Sequence, residues 1–363
     1  MSGTSGDGVD ASVIVSDGIN YFEVIKDKFF EYDSKISDKI HSIKEKIFNI
    51  KDLEKLSNEL SSLEREITLF HAKIIKEIAN NYEDILIGFH GQTIYHNSEK
   101  KISKQLGDGK LLNQLTKEKI IFDFRSNDIL NGGEGAPLTP IYHQLIAIQN
   151  NLALPVCFLN IGGISNITIV NEKTKKPDLF SRDLGPGNCL IDKWMRKNSN
   201  LNFDNSGKIS SSGQINQIIL EQAQELYANR VNINKLSFDT SDFDISFARG
   251  LSLEDGAATL TDFTARVISE ELSDSILKIE NNVNEVLVCG GGRKNNFLIK
   301  KIREYNTLKA HIRLIDDYKL NGDFIESQAF AFLAIRSFLN LPISFPNTTG
   351  CSEPSSGGQI IDN

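Results

Sequence analysis

Residues 1–10 crowd Gly3, Gly6 and Gly8, the hydroxyls of Ser2, Thr4 and Ser5, and the carboxylates of Asp7 and Asp10 into one turn ahead of an apolar stretch from Val9. Glycine admits φ > 0 and lets backbone N–H groups close on an anion, and the hydroxyls add donors, so the turn suits phosphate. Two carboxylates repel a bare phosphate, and a divalent cation between them and it removes the conflict. A disordered, small-residue N-terminus is the alternative. The same pattern recurs at Asn160-Ile161-Gly162-Gly163-Ile164-Ser165-Asn166. There an apolar strand over 156–161 enters the turn and 167–170 leaves it, which reads as a complete β-hairpin. No strand enters the first turn in this sequence, which predicts a phosphate loop anchored on one side only.

A second pair of echoes supplies elements to position these turns. The apolar run 85–89 leads into His90-Gly91-Gln92, and 286–289 leads into Gly290-Gly291-Gly292 before a helical stretch from Lys294. Strand, glycine turn and helix in succession let a base or a phosphate lie against bare backbone, although glycine is also used in such turns for steric reasons alone. Together the four segments predict an α/β, duplicated nucleotide-binding fold with its ligand between the halves. Over 21–80 the texture changes: Ile36, Ile40, Ile43 and Ile47, then Leu53, Leu56, Leu60, Leu63, Ile67, Phe70 and Ile74, repeat at three- and four-residue spacing. This predicts a helical insertion with a break near 49–52 that packs on its own lobe's sheet, an interaction coiled coil being the alternative. A helix over 256–277 plays the matching part in the second half.

With 363 residues, 40% of them hydrophobic, the chain can bury the cores of two domains. A net charge of −8 argues against a nucleic-acid partner. Cys157, Cys189, Cys289 and Cys351 are widely separated and form no zinc or disulfide pattern, so reduced thiols and a cytoplasmic location are expected. No apolar run reaches membrane-spanning length, so no membrane partner is expected. His90 and His96 invite a metal reading, which lacks a third ligand.

Seven motifs in order resemble the series of the anhydro-N-acetylmuramic acid kinase family. They are Ser2-Gly3-Thr4-Ser5 with Asp7-Gly8-Val9-Asp10; His90-Gly91-Gln92-Thr93; Phe124-Arg125 and Asp128 with Gly132-Gly133 and Gly135-Ala136-Pro137-Leu138; Asn160-Ile161-Gly162-Gly163-Ile164 with Asn166; Asp183 with Gly185-Pro186 and Asn188; Gly290-Gly291-Gly292; and Glu326 with Ala329-Phe330-Ala331. The resemblance runs from Ser2 to Pro354 and is weakest before Asn80. It implies a two-lobed actin-like ATPase fold of duplicated RNase H-like halves with an ATP cleft between the lobes. Lobe I is expected over 1–135, joined by 337–363, and lobe II over 136–336. Implied too are a reaction in which water opens the 1,6-anhydro ring while ATP phosphorylates O6, a role in murein recycling, ATP and Mg²⁺ as cofactors, and a homodimer. A non-catalytic or regulatory relative of the same fold is the alternative.

For the site, the resemblance implies Asp183 as general base, placed at the end of 179–182 where a carboxylate escapes the strand ladder; capping of the helix near Asn188 is its structural alternative. Gly3, Thr4, Ser5, Gly6, Asp7, Gly8, Val9 and Asp10 would clasp phosphates together with Gly162, Gly163 and Asn166. Gly290, Gly291 and Gly292 would border adenosine. Asp7 would reach Mg²⁺ through water. Gln92, Arg125 and Glu326 would bind the sugar. Departures from the family pattern are Gly6 in place of a larger apolar residue, Glu134 in place of an amide and Leu184 in place of a threonine.

Overall fold

Apolar runs and short glycine turns build most of the strands, and amphipathic Lys/Glu-rich repeats build the helices between Ser34 and Ile78. The structure is a computed structural model that describes residues 1–3, 5–171, 178–229 with the backbone of 230, 236–279 and 283–362. The chain is mixed α/β and divides into two compact units. Unit 1 holds Met1–Leu152, Lys173–Ser181 and Asp323–Asn363; unit 2 holds Ala153–Glu172 and Arg182–Gly322.

Unit 1 begins with an antiparallel pair, β1 (Gly8–Ser16) and β2 (Phe22–Glu31), in register from Gly8 opposite Glu31 to Ser16 opposite Phe22. The helices Ser34–Lys46, Ile50–Lys55 and Ser57–Ile78 follow, interrupted between Ile47 and Asn49 and again at Leu56. Asn49 caps the second of them by accepting from the Lys51 N–H, which accounts for the first break. The predicted insertion is therefore helical only from Ser34. Before that lies β2 (Phe22–Glu31), whose side chains are mostly exposed on both faces and so carry no alternating pattern. Ile36, Ile40, Ile43, Leu63, Ile67 and Ile74 bury against Val9, Tyr32, Ile94 and Leu106, the unit's own strands. Next come β3 (Leu86–Phe89), the hairpin of β4 (Gln92–Asn97) and β5 (Ile102–Leu106), and β6 (Lys119–Phe122), which runs parallel to β3.

In unit 2, β7 (Val156–Ile161) and β8 (Ile164–Val170) form the predicted hairpin, followed by β9 (Leu179–Pro186), β10 (Glu285–Cys289) and β11 (His311–Leu314). The sheet order is β11-β10-β7-β8-β9, with β10 parallel to both β7 and β11. This is the strand order of an RNase H-like half. In unit 1 the last strand, β12 (Gln359–Ile361), joins β6 and β3 antiparallel to β6, and β1-β2 forms a separate ladder.

The expected lobe boundaries shift. The helices Pro140–Gln149 and Ile325–Phe338 both belong to unit 1. The second lies on β1 and β3 so closely that a Cβ on Gly88 would stand 2.6 Å from the Phe330 carbonyl oxygen. Tyr142 donates to Gln328 Oε1 at 2.9 Å and ties the two helices together. Among the described residues no helix is long and apolar enough to cross a membrane.

Candidate active site

In unit 1 the glycine turn before β1 is held from several directions. Tyr32 N–H donates to Asp7 O at 2.9 Å, and Ser37 Oγ donates to Gly6 O at 2.9 Å. Ser2 Oγ donates to Gln92 Oε1 at 2.5 Å, and Gln92 Nε2 donates to Gly3 O at 2.9 Å. Tyr32 Oη donates back to Ser2 Oγ at 3.1 Å. The loop expected to be anchored on one side only is thus also held by Tyr32, by Ser37 of the first helix and by Gln92 of β4. Gly6 adopts φ +66°, and Gly8 lies where a Cβ would meet the Phe30 carbonyl at 2.5 Å. Thr4 lies outside the described residues. Gly8→Ala is expected to cost roughly 1–3 kcal/mol by overpacking against backbone, read as a lowered melting temperature with weakened ATP binding.

Gln92 is fully buried and both ends of its amide are engaged on the loop, so in this structure it braces the glycine turn. Arg125 donates to Gly135 O at 2.6 Å and to His90 Nε2 at 2.9 Å, with its guanidinium over the Phe330 ring at 6.0 Å. It joins the 132–135 loop to the His90 turn. Because Nε2 accepts from Arg125, His90 carries its proton on Nδ1, which donates to Gly91 O at 2.9 Å. Burial, with Arg125 alongside, holds His90 far below the ordinary histidine range. His96 Nδ1 pairs with Ser103 Oγ at 3.0 Å. Asp128, buried under the same loop, accepts from Gly135 N–H at 2.7 Å and from Thr349 Oγ1 at 2.6 Å. Glu326 stands in the first turn of the Ile325–Phe338 helix, and its charge reaches Asp10.

Two further histidines of unit 1, His71 and His143, are pushed down to about 3 by burial. A base whose folded pKa lies below its unfolded value binds fewer protons folded than unfolded. Its stability contribution is therefore complete above the unfolded pKa of about 6.5 and is lost on acidification at about 1.4 kcal/mol per pH unit for each such group. Melting temperature is expected to fall steeply from about pH 6 to about pH 4, and His143→Gln to flatten that slope by roughly a third.

In unit 2 the hairpin turn is welded to the start of the Cys189–Asn198 helix. Gly187 N–H and Cys189 N–H donate to Gly163 O at 2.9 and 3.2 Å, and Asn188 N–H donates to Gly162 O at 2.8 Å. Ser165 Oγ adds a bond to Gly185 O at 3.1 Å. The outer side of the turn is open: a Cβ on Gly162 would meet nothing nearer than Ile164 O at 3.5 Å. Asn166 pairs with Asn160 across the hairpin, two residues before Gly162.

Asp183 lies inside β9, not past its end, because the strand continues through Gly185 to Pro186. As the last strand in the sheet order, β9 tolerates proline. Asp183 does engage a neighbour: its N–H donates to Leu236 O at 2.8 Å, and its Oδ2 accepts the Phe238 N–H at 2.7 Å. No side chain caps the Cys189–Asn198 helix, so the capping alternative for Asp183 does not hold. The segment carrying Leu236 and Phe238 was not legible as part of the site; a backbone donor has no residue-type signature. Leu184 is 1% exposed, packed where a hydroxyl would need a partner.

The 290–292 turn divides by role. Gly290, at φ +79°, would place a Cβ 2.3 Å from Asn160 Oδ1, and Gly292 would place one 2.3 Å from Ile161 Cγ2, so both are glycine for packing against the end of β7. Gly291 is open, with Asn188 Nδ2 at 4.0 Å as its nearest neighbour. Gly162, Asn188 and Gly291 thus converge on one accessible corner of unit 2.

Comparison with known proteins gives this arrangement a family. The sequence model described as anhydro-N-acetylmuramic acid kinase matches residues 1–363. The anhydro-N-acetylmuramic acid kinase of Pelagibacter ubique is 53% identical over 365 residues, covering 100% of this chain and 97% of that one. The chain belongs to the anhydro-N-acetylmuramic acid kinase family. The Zymomonas mobilis enzyme of the same name is 36% identical, covering 99% of this chain and 98% of its own. As a member of this kinase family the chain is a phosphotransferase. Among solved structures, an activator of 2-hydroxyisocaproyl-CoA dehydratase from Clostridium difficile with bound ADPNP covers 90% of this chain and 94% of its own at TM-score 0.38 and 11% identity, too distant a likeness to add to the strand order above.

Proposed function

We propose that the chain uses ATP to convert 1,6-anhydro-N-acetylmuramic acid and water into N-acetylmuramic acid 6-phosphate and ADP, in the recycling of cell-wall murein. The observation that carries this reading is Asp183, a buried carboxylate oriented by a backbone N–H and seated beside a turn braced to an open glycine hairpin, in a chain that matches the family throughout. A carboxylate so held can take the proton of water as the water oxygen bonds to C1. The C1–O6 bond breaks, and O6 bonds to the γ-phosphorus as ADP departs. One base and phosphate electrostatics then suffice, without the paired carboxylates of a glycosidase.

In this reading the 2–10 loop, with Gly162, Gly163 and Asn166, holds phosphate, and Gly291 borders adenosine. Arg125, Gln92 and Glu326 shape the sugar side, the first two by bracing loops. A divalent cation would lie at the corner of Asp7, Asp10, Asp323 and Glu326 in unit 1, where burial pushes Asp10 up to about 7, the Met1 ammonium opposes the rise and the other three carboxylates add to it. In this reading Asp7 would reach the ion through water, and among the described residues no three His, Cys, Asp or Glu side chains converge as a metal cage. Mg²⁺, when bound, would neutralise phosphate charge. A homodimer, read by sedimentation, and a cytoplasmic location complete the proposal.

The test is purified protein with ATP, Mg²⁺ and the anhydro sugar, assayed for ADP and a 6-phosphosugar; ADP without the sugar phosphate would reject the reading. In ¹⁸O-water the label is expected on C1. Label in phosphate instead would mean simple ATP hydrolysis.

A further inference from the structure

Behind the 290–292 turn a buried arginine pairs with an exposed aspartate, and its charged group reaches back to the turn. Arg293, 5% exposed, donates from Nε to Asp316 Oδ2 at 2.7 Å and from Nη2 to Oδ1 at 2.9 Å, the forked geometry that a guanidinium offers a carboxylate. Its Nη1 donates to Gly290 O at 3.1 Å. The same carboxylate accepts the Gly322 N–H, while Gly322 O accepts the Gly290 N–H at 3.1 Å. Gly322 leaves no room for movement here: a Cβ on it would stand 2.4 Å from Arg293 Nε. Both backbone polar groups of Gly290 are therefore fixed from Asp316, one through Arg293 and one through Gly322.

We propose that Arg293 and Asp316 are positioning residues for the nucleotide, holding the 290–292 turn so that Gly291 presents open backbone to it. The pair touches no substrate itself. The proposal rests on the reading that this turn borders adenosine. Gly290 and Gly292 are already immobilised against β7 by close approach, so the pair is not needed to make the turn fold. What it sets is where Gly291 stands relative to Asn188 and Gly162.

Asp316→Asn keeps the shape and removes the charge, and Arg293→Lys keeps the charge and removes the fork. Both are expected to weaken binding of a non-hydrolysable ATP analogue about tenfold and to raise the KM for ATP similarly. Turnover at saturating ATP should change less than about threefold, and Asp316→Glu should recover part of the loss. A lowered melting temperature with ATP affinity within about twofold of the parent would make the pair merely structural and overturn the proposal. Gly291→Val tests the underlying reading separately, since its surroundings are open. It should abolish analogue binding without lowering the melting temperature. Undiminished binding by Gly291→Val would overturn the assignment of the turn, and this proposal with it.

Discussion

Asp183→Asn is expected to lower sugar-dependent ADP formation by about a hundredfold or more while leaving ATP binding and melting temperature near those of the parent. The asparagine fills the same space, and its Oδ1 can still accept the Phe238 N–H that now reaches Asp183 Oδ2 at 2.7 Å. An amide oxygen has negligible basicity, so the proton of the attacking water has nowhere to go. The structural cost is confined to exchanging a charge-assisted hydrogen bond for a neutral one, on the order of 1 kcal/mol. Single-turnover measurements of the sugar product separate this loss from any change in nucleotide binding. If the folded variant kept most of its activity, Asp183 would have no part in the chemistry, and a base would have to be sought elsewhere.

The fold was legible where a face is buried and periodic. β7 and the strand leading to Gly290 announce themselves as nearly continuous apolar runs, buried along almost their whole length, and the Ile and Leu repeats from Ile36 onward recur at the period of a helix. Phe22–Glu31 was misread because an exposed strand has no such period to display. Asp183 was placed outside its strand because Gly185 and Pro186 have the composition of a turn, yet on an edge strand neither residue has to end the ladder. The candidate site residues were chosen by type, and their supports were not legible that way. The Phe238 N–H, the Arg293–Asp316 pair and the fastening of the first loop by Tyr32 and Ser37 join positions far apart in sequence. Type also says nothing of reach: the Gln92 amide donates to Gly3 O, and Arg125 donates to Gly135 O and to His90.

Gly187→Ala is the second change expected to have a large effect, and the reason is a single close approach. A Cβ on Gly187 would stand 2.3 Å from Gly162 O and 3.2 Å from the carbonyl carbons of both Gly162 and Ile164. These are backbone atoms, with no flexible side chain to swing away, so relief requires the hairpin turn and the helix start to separate. Separation breaks the three bonds that join them, from Gly187, Asn188 and Cys189 to the carbonyls of Gly162 and Gly163. At about 1 kcal/mol net for each bond, the loss is about 3 kcal/mol, and residual overpacking can add roughly 1–3 kcal/mol. For a unit of this size that corresponds to a fall in melting temperature of at least about 6 °C. Function should suffer beyond stability, because the same displacement moves the open face of Gly162 away from Asn188 and tilts the strand end that carries Asp183. The KM for ATP is therefore expected to rise several-fold at temperatures where the variant is fully folded. Gly162→Ala is the control: its Cβ meets nothing nearer than 3.5 Å, so melting temperature should hold while phosphate contact weakens. Equal melting temperatures for Gly187→Ala and the parent would mean that the turn and the helix can part without cost, and the weld between them would lose its role in placing the phosphate hairpin.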